Sequence, residues 1–366
     1  MSTLIEQIKE ACSTVSQNQK RLYDKGYKDG KAGGGVTATD GRTALPYWYS
    51  GLRDAHNWRA EDDGAGGVNI VGDVIEELGY PEKTGSVTSF NRFAMVCIEH
   101  SGGLVRTGAF VKKFTGTLDA SNATELSHMF GGCQHLEDLG NVIFGDKIEN
   151  VTSMFSGCRA LKSASAINTV NCKSFDHMYY DCRKITSIPE LNTSNGIVLR
   201  RLVSCCTLLT TMPKLDTAKA EDVSNMFSEC ISMVSIPELD LRSATLTGNM
   251  FYNCRALVSL RIKNLKVSTQ IGLGTSYGHL IKVEDLIFTI YHLRDRGEAT
   301  PRTLTVGTKN LQKLAGVYVK LVPITDEMRA EDDLIDEKKP FEVCESTDDG
   351  AMLITNYVSL KHWALK

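Results

Sequence analysis

Met129-Phe130-x-x-Cys133-x-x-Leu136 is a phrase that the chain goes on repeating. It returns as Met154-Phe155-x-x-Cys158-x-x-Leu161 and as Met178-Tyr179-x-x-Cys182-x-x-Ile185. A degenerate copy, Leu202-Val203-x-x-Cys206-x-x-Leu209, is followed by Met226-Phe227-x-x-Cys230-x-x-Met233 and Met250-Phe251-x-x-Cys254-x-x-Leu257. The first step is 25 residues and the next four are 24. Apolar residues at fixed offsets with a period of roughly 20–29 residues mark a leucine-rich-repeat type solenoid. A single coil cannot bury its own apolar edge, so stability has to come from stacking neighbours.

The tail of each phrase, as in Ile185-Thr186-Ser187-Ile188-Pro189-Glu190-Leu191, alternates apolar residues with small β-formers. That pattern predicts one short strand per coil. Pro189, Pro213 and Pro237 lack a donor for a ladder, so they are expected at the strand's end or margin. Asn192-Thr193-Ser194 and Asp216-Thr217-Ala218 suit turns that bond their own backbone. The two residues between the strand's apolar positions should face outward. They are Glu137-Asp138, Lys162-Ser163, Thr186-Ser187, Thr210-Thr211, Val234-Ser235 and Val258-Ser259. Stacking brings such pairs within about 5 Å of one another. The uncharged middle of this strip, Thr186, Ser187, Thr210, Thr211, Val234, Ser235, Val258 and Ser259, is the candidate partner-binding surface. A hydroxyl-rich strip suits a neutral glycan or a flat polar partner, although exposed sheets favour the same residues for stability alone.

The cysteine column, Cys133, Cys158, Cys182, Cys206, Cys230 and Cys254, can be read as a metal or disulfide ladder or as buried thiols. Zinc sites use clusters such as C-x₂-C, and the close pair here is the adjacent Cys205-Cys206. A disulfide ladder would need favourable side-chain directions along the whole column. Free cysteine is among the most buried residue types, so the column is expected to be core thiols.

The phrase M-F-x-x-C-x-x-L, followed by an I-P-x-L-D-T-S element, resembles the BspA-like leucine-rich repeats. Those repeats occur in bacterial and mycoplasma surface proteins and in phage and prophage tail proteins. The likeness covers roughly Leu118 to Ile290, and the lead-in Gly116–Thr124 resembles the turn that precedes a repeat in that family. Leu202-Val203 in place of Met-Phe, and the missing proline in the first two copies, depart from the pattern. The resemblance implies a recognition or structural scaffold without catalysis.

Residues 3–23 place Leu4, Ile8, Ala11, Val15, Asn18 and Leu22 at a 4-3-4-3-4 spacing. That is an a/d seam with a polar Asn18 able to set register. It serves either as an oligomer or anchoring helix or as an amphipathic helix docked on its own domain. The segment Tyr23–Gly30 also resembles a pattern of phage appendage proteins. The glycines from Gly26 to Gly35 end the helix in a hinge. Pro46-Tyr47-Trp48-Tyr49 and Trp58 form an aromatic cluster suited to core filling or to a glycan or subunit contact. Val68–Leu78 reads as a short helix, with Arg92–Glu99 and Leu104–Phe110 as strands. Val283–Arg296 reads as a capping helix, and the segment from Leu304 to Leu314 resembles the stretch that comes after such repeats in phage proteins. The acidic run from Asp326 to Glu337 reads as a solvated face, and the end around Trp363 as a docked strand. The expected fold class is therefore α+β. Residues 1–35 form a helix and hinge, 36–115 a small α+β domain, 116–290 the solenoid, and 291–366 a C-terminal cap and extension.

With 366 residues, 42% hydrophobic and 23% charged, the chain is globular with room for two or three domains. A net charge of −3 and no basic tail or face in the sequence argue against nucleic acid. No run approaches the roughly 18 apolar residues of a membrane span. The N-terminus has neither a basic n-region nor an apolar h-region, so no export signal is expected. A surface-type repeat without one fits a virion part assembled in the host cytoplasm. Asp62–Gly67 lacks the ligand pattern of a calcium loop, and its glycines lack a dinucleotide-binding context. The eight histidines fall in no metalloprotease frame. His128 and His177, each preceding the first phrase residue, read as shared turn positions. No enzyme, cofactor or metal is expected. The expected function is a phage tail-fibre or baseplate protein, with other virion proteins and a host-surface glycan or protein as partners and self-association through the N-terminal helix. The alternative is a bacterial surface or secreted interaction protein.

Overall fold

The structure, a computed structural model, describes residues 59–62, 68–80, 88–100, 103–270, 281–294, 302–306, 310, 318–319, 343–344 and 363–365. The seam of Leu4, Ile8, Ala11, Val15, Asn18 and Leu22, the aromatic cluster from Pro46 to Trp58 and the acidic run from Asp326 all lie outside them. The chain divides into two compact units, Met1–Asn195 and Gly196–Lys366.

The α+β expectation is overturned. Among the described residues the chain is strand and turn with one helix of nine residues. Val68–Leu78, read above as a helix, instead holds β2 (Val68–Val71) and most of β3 (Ile75–Gly79). Its β-branched residues favour extended backbone, and Gly72 with φ 150° separates the two strands. β1 (Arg59–Asp62) pairs antiparallel with β2. β4 (Met95–His100) and β5 (Gly103–Gly108) make a hairpin where two strands were expected. β6 (Val111–Thr115) lies parallel to β3. β7 (Thr117–Ala120) and β8 (Asn141–Phe144) pair in parallel one period apart, Leu118 opposite Val142.

The expected one-strand-per-coil solenoid sheet does not form either. The sheets have two or three strands and do not close across the repeats. Between Phe144 and Ser235, all of it described, there are only isolated bridges such as Glu125↔Asn150 and Val198↔Asp222. The phrase itself folds as consecutive tight turns, in coils with and without a strand alike. In the first copy Met129, Gly131 and Cys133 donate N–H to the carbonyls three residues earlier. Alternate residues donate to the next coil: Leu126 to Asn150, His128 to Thr152, Phe130 to Met154 and Gly132 to Ser156, at 2.6–2.9 Å. The second unit repeats the scheme, with Val223, Asn225, Phe227 and Glu229 donating to Leu246, Gly248, Met250 and Tyr252.

Such turns need left-handed backbone twice per coil. The residue before the first phrase position has positive φ in every copy: His128, Ser153 and His177 in the first unit, Arg201, Asn225 and Asn249 in the second. So does the residue before each cysteine, namely Gly132, Gly157 and Asp181, then Cys205, Glu229 and Asn253. A non-glycine residue there costs about 1 kcal/mol, offset by the inter-coil bonds. His128 and His177 are thus turn positions, as their offsets indicate. The prolines complete the correction. Pro189 and Pro213 lie in coils without a strand, while Pro237 sits inside β9 (Ser235–Asp240) and not at its end. There β9 bulges against β10 (Ser259–Lys263), two residues opposing Arg261, which frees the position from ladder donation.

Phrase side chains build the core. Phe130 stacks on Phe155 at 5.8 Å and Phe155 on Tyr179 at 5.3 Å, nearly parallel. Phe227 stacks on Phe251 at 5.8 Å in the second unit. The cysteine column is fully enclosed and none of its members is in a disulfide. Cys158 and Cys182 donate to the carbonyls of Phe130 and Phe155, and Cys230 and Cys254 to those of Val203 and Phe227, at 3.0–3.1 Å.

A coil that the repeated phrase does not announce precedes its first copy. Phe90, Arg92 and Ala94 donate N–H to Glu125, Ser127 and Met129, one residue before their counterparts Leu126, His128 and Phe130. Arg92 has the matching left-handed φ of 56°. The β4–β5 hairpin is inserted after Ala94, and the coil resumes at Ala109, whose N–H returns to Ala94 as that of Cys133 does to Phe130. Phe90, Phe93, Phe110 and Phe114 are buried here, and Tyr80 stacks on Phe114 at 4.7 Å while its hydroxyl donates to the Leu139 carbonyl.

Coils approach most closely where a glycine allows it. A Cβ on Gly145 would stand 1.9 Å from the Ser121 carbonyl oxygen, a backbone atom that only a shift of the coil can relieve. Gly145→Ala is expected to cost about 3 kcal/mol, read as a lowered urea midpoint. A change under about 0.5 kcal/mol would mean that the coils are further apart.

In the second unit α1 (Val283–Tyr291) takes the place of the next coil and ends earlier than Arg296. Asp285 in its first turn accepts Ser259 Oγ at 2.7 Å, Leu260 N–H at 3.1 Å and Arg261 Nε at 2.7 Å. Thr289 Oγ1 accepts Ile262 N–H. β11 (Thr269–Gln270), β12 (Arg302–Thr305) and β15 (Trp363–Leu365) form a parallel sheet, so the C-terminal segment docks as a strand. β13 (Tyr318–Val319) pairs with β14 (Val343–Cys344).

Candidate interaction surface

Each phrase ends by sending a Leu, Ile or Met inward, and the next two residues emerge at the surface. In the first unit Thr186 and Ser187 are exposed, as are Glu137, Asp138, Lys162 and Ser163. Thr186 N–H donates to the Lys162 carbonyl, which puts the two coils side by side. This face carries alternating charge. Lys112 pairs with Glu76 at 2.7 Å and Lys162 with Glu137 at 2.9 Å, on consecutive levels. The Lys162 ammonium bonded to Glu137 holds that carboxyl below the ordinary carboxylate range, with Lys184 and Lys112 acting in the same direction. Bonding to Glu76 raises Lys112. Exposed pairs of this kind contribute little to stability; their consequence is the sign and pattern of the surface.

In the second unit Thr210, Thr211 and Val234 are exposed, while Ser235, Val258 and Ser259 are half-buried. Thr211 bridges to Ser235, and Ser235 stands opposite Ser259 in the β9–β10 register. Three consecutive coils thus bring these residues together. Ser259, however, spends its hydroxyl on Asp285. The strip therefore ends in a buried contact with α1, and its outer part is Thr210, Thr211 and Val234. Leu208 and Ile231 are exposed on the same coils, apolar side chains that the sequence pattern of hydroxyls did not suggest.

Five thiols of the buried column are held in their protonated form. Burial pushes Cys133 and Cys254 up to about 12, and Cys158, Cys182 and Cys230 well above the ordinary thiol range. A thiol held protonated is neither a nucleophile nor a metal ligand. No helix among the described residues is long and apolar enough to cross a membrane.

The family model described as "Mycoplasma protein of unknown function, DUF285" matches residues 105–211 and again 149–266. Together with the phrase period, this match supports a leucine-rich-repeat, BspA-like character for the repeat segment. A crystal structure of a leucine-rich repeat protein from Eubacterium ventriosum ATCC 27560 is similar at 15% identity and a TM-score of 0.29. That likeness covers 54% of this chain and 57% of the other, so the chain spans little more than half of that protein's length. No curated protein matches.

Proposed function

We propose that this chain is a non-catalytic phage virion protein, a tail-fibre or baseplate appendage that presents its repeats for host-surface recognition or adhesion. One observation carries the reading: in each unit, coils with a buried core put uncharged short side chains at the surface, Thr186-Ser187 in the first and Thr210-Thr211 in the second. Rigid stacked elements are a means of holding many weak contacts in register. The partners are a host-surface glycan or protein and neighbouring virion proteins, with copies associating through the N-terminal segment. A second reading, a bacterial surface or secreted interaction protein, draws support from the mycoplasma proteins that the matching family model describes.

Thr186→Lys combined with Thr210→Lys tests the contact surface. Both positions are exposed, so the melting temperature should hardly move, while adsorption to host cells should fall at least severalfold. Undiminished adsorption would remove the strip as the contact. The presence of the chain in purified particles separates the first reading from the second.

A further inference from the structure

We infer that the first unit carries an oxyanion-binding site for phosphate or sulfate esters of a surface polysaccharide, built on the Arg159–Asp181–Arg183 triad. This deepens the recognition role above and rests on it for the source of the polymer, while the anion-binding residues lie outside the Thr186-Ser187 pair. Arg159 and Arg183 follow cysteines of consecutive phrases, 24 residues apart. Stacking brings both onto one carboxylate: Arg159 Nε to Asp181 Oδ2 at 2.7 Å and Arg183 Nε to Asp181 Oδ1 at 2.6 Å.

Asp181 occupies the left-handed turn position, φ 59°, where the first two copies have glycine. Its side chain is 8% exposed, whereas the two arginines keep 51% and 57% of theirs in solvent. One buried carboxylate therefore orients two guanidinium groups that still face water, and leaves the triad with a net positive charge. A guanidinium is planar, weakly hydrated and matched to the paired oxygens of a phosphate or sulfate. Fixing it in advance removes much of the ordering cost of binding.

Lys184 adjoins Arg183 in the chain and adds one further cation, while Lys162 and Lys112 are paired with Glu137 and Glu76. The neutral Thr186-Ser187 pair follows directly in the same coil and offers hydroxyls to a polyol backbone. At the corresponding positions of the second unit stand Thr207-Leu208 and Ile231-Ser232, and then Arg255-Ala256. Arg255 bonds the neutral Asn253 at 2.6 Å, so two arginines converge on one carboxylate at Asp181 and not at that coil. A polymer with esters spaced along a polyol chain would meet cations on successive coils, with association steered by charge and weakened by salt.

The test uses the full-length protein with two probes, poly(glycerol phosphate) and dextran sulfate, in binding titrations at low and physiological salt. The variant is Arg159→Gln with Arg183→Gln and Asp181→Asn. It removes the buried charge along with its partners, and asparagine tolerates the left-handed backbone. The wild type is expected to bind at least one probe in a salt-sensitive way, and the variant to bind it at least tenfold more weakly. Whichever polymer binds tells phosphate from sulfate. Lys214→Gln with Lys219→Gln, which lowers the net charge of the second unit by more than the triple variant lowers that of the first, should change binding less than twofold. If the triple variant does not fold, Arg159→Lys with Arg183→Lys decides: it keeps the charge, loses the planar forks, and should bind severalfold more weakly. The proposal is overturned if neither polymer binds the wild type, if the arginine variants bind as the wild type does, or if the lysine control loses as much. Equal retention of duplex DNA or of anionic phospholipid vesicles would also overturn it, in favour of unselective charge.

Discussion

Cys182→Asp is expected to leave no folded protein at room temperature. Cys182 is 0% exposed, and its thiol donates to the Phe155 carbonyl at 3.1 Å. An ionised aspartate would place a charge in the core facing a carbonyl oxygen, with no donor to satisfy either. Neutralising itself by taking up a proton would still leave a polar group short of partners. Burying such a group costs several kcal/mol, commonly about 4 or more, against a total stability of about 5–15 kcal/mol for an ordinary domain. Because each coil is held by its neighbours, the loss would spread to the adjacent phrases. Cys182→Ala removes only a weak hydrogen bond and a small volume, and should cost about 1–2 kcal/mol. Soluble yield and urea unfolding of both variants check this. An aspartate variant melting within a few degrees of wild type would mean that the column is not the core.

The second large effect is alkaline unfolding. Burial raises Cys133 and Cys254 to about 12, and Cys158, Cys182 and Cys230 well above their usual value near 9. Below pH 9 these thiols are protonated whether the chain is folded or not, and their contribution is fully present. Above it the unfolded chain releases protons that the folded chain retains, so stability falls as pH rises from 9 towards 12. Each thiol contributes up to about 1.4 kcal/mol per pH unit. Several acting together exceed the stability of an ordinary domain, so cooperative unfolding is expected between about pH 10 and 11. Burial raises the Tyr80 hydroxyl as well, which adds to the same trend. Melting temperatures in reductant from pH 7.5 to 11 measure the effect, and replacing one column cysteine by alanine should shallow the slope. A melting temperature that stays flat to pH 11 would contradict the burial of the column.

The cysteine column shows what periodicity conveys. Each cysteine meets the same neighbours one coil away, so a repeated offset states a repeated contact, and the core of Met, Phe, Cys and Leu could be read before any coordinates. His128 and His177 were legible as turn positions for the same reason. The α1 region was legible from its apolar spacing, and the docked strand at Trp363 from its composition. The outward pairs were placed correctly at Thr186-Ser187 and Thr210-Thr211, yet nothing in the spacing showed that Ser259 would be taken by Asp285 from α1.

What the sequence by itself determined is therefore the repeat, its inward columns and the location of its turns, because these arise from contacts between equivalent residues. Only the tertiary structure decided how the backbone between them bonds. Val68–Leu78 has a spacing that fits a helix as well as two strands, and parallel pairing of β3 with β6, 36 residues away in sequence, selects the strands. The tails of the repeats have strand composition, but Pro189 and Pro213 have no N–H for a ladder and no strand pairs there, while Pro237 is accommodated at the bulge between β9 and β10. The coil of Phe90, Phe93 and Ala94 was hidden because the β4–β5 hairpin splits its phrase, and a period cannot be seen across an insertion. Arg159 and Arg183 read as ordinary surface cations until stacking placed both on Asp181. Their convergence depends on one residue at a turn that does not repeat, and a pattern built on recurrence carries no trace of it.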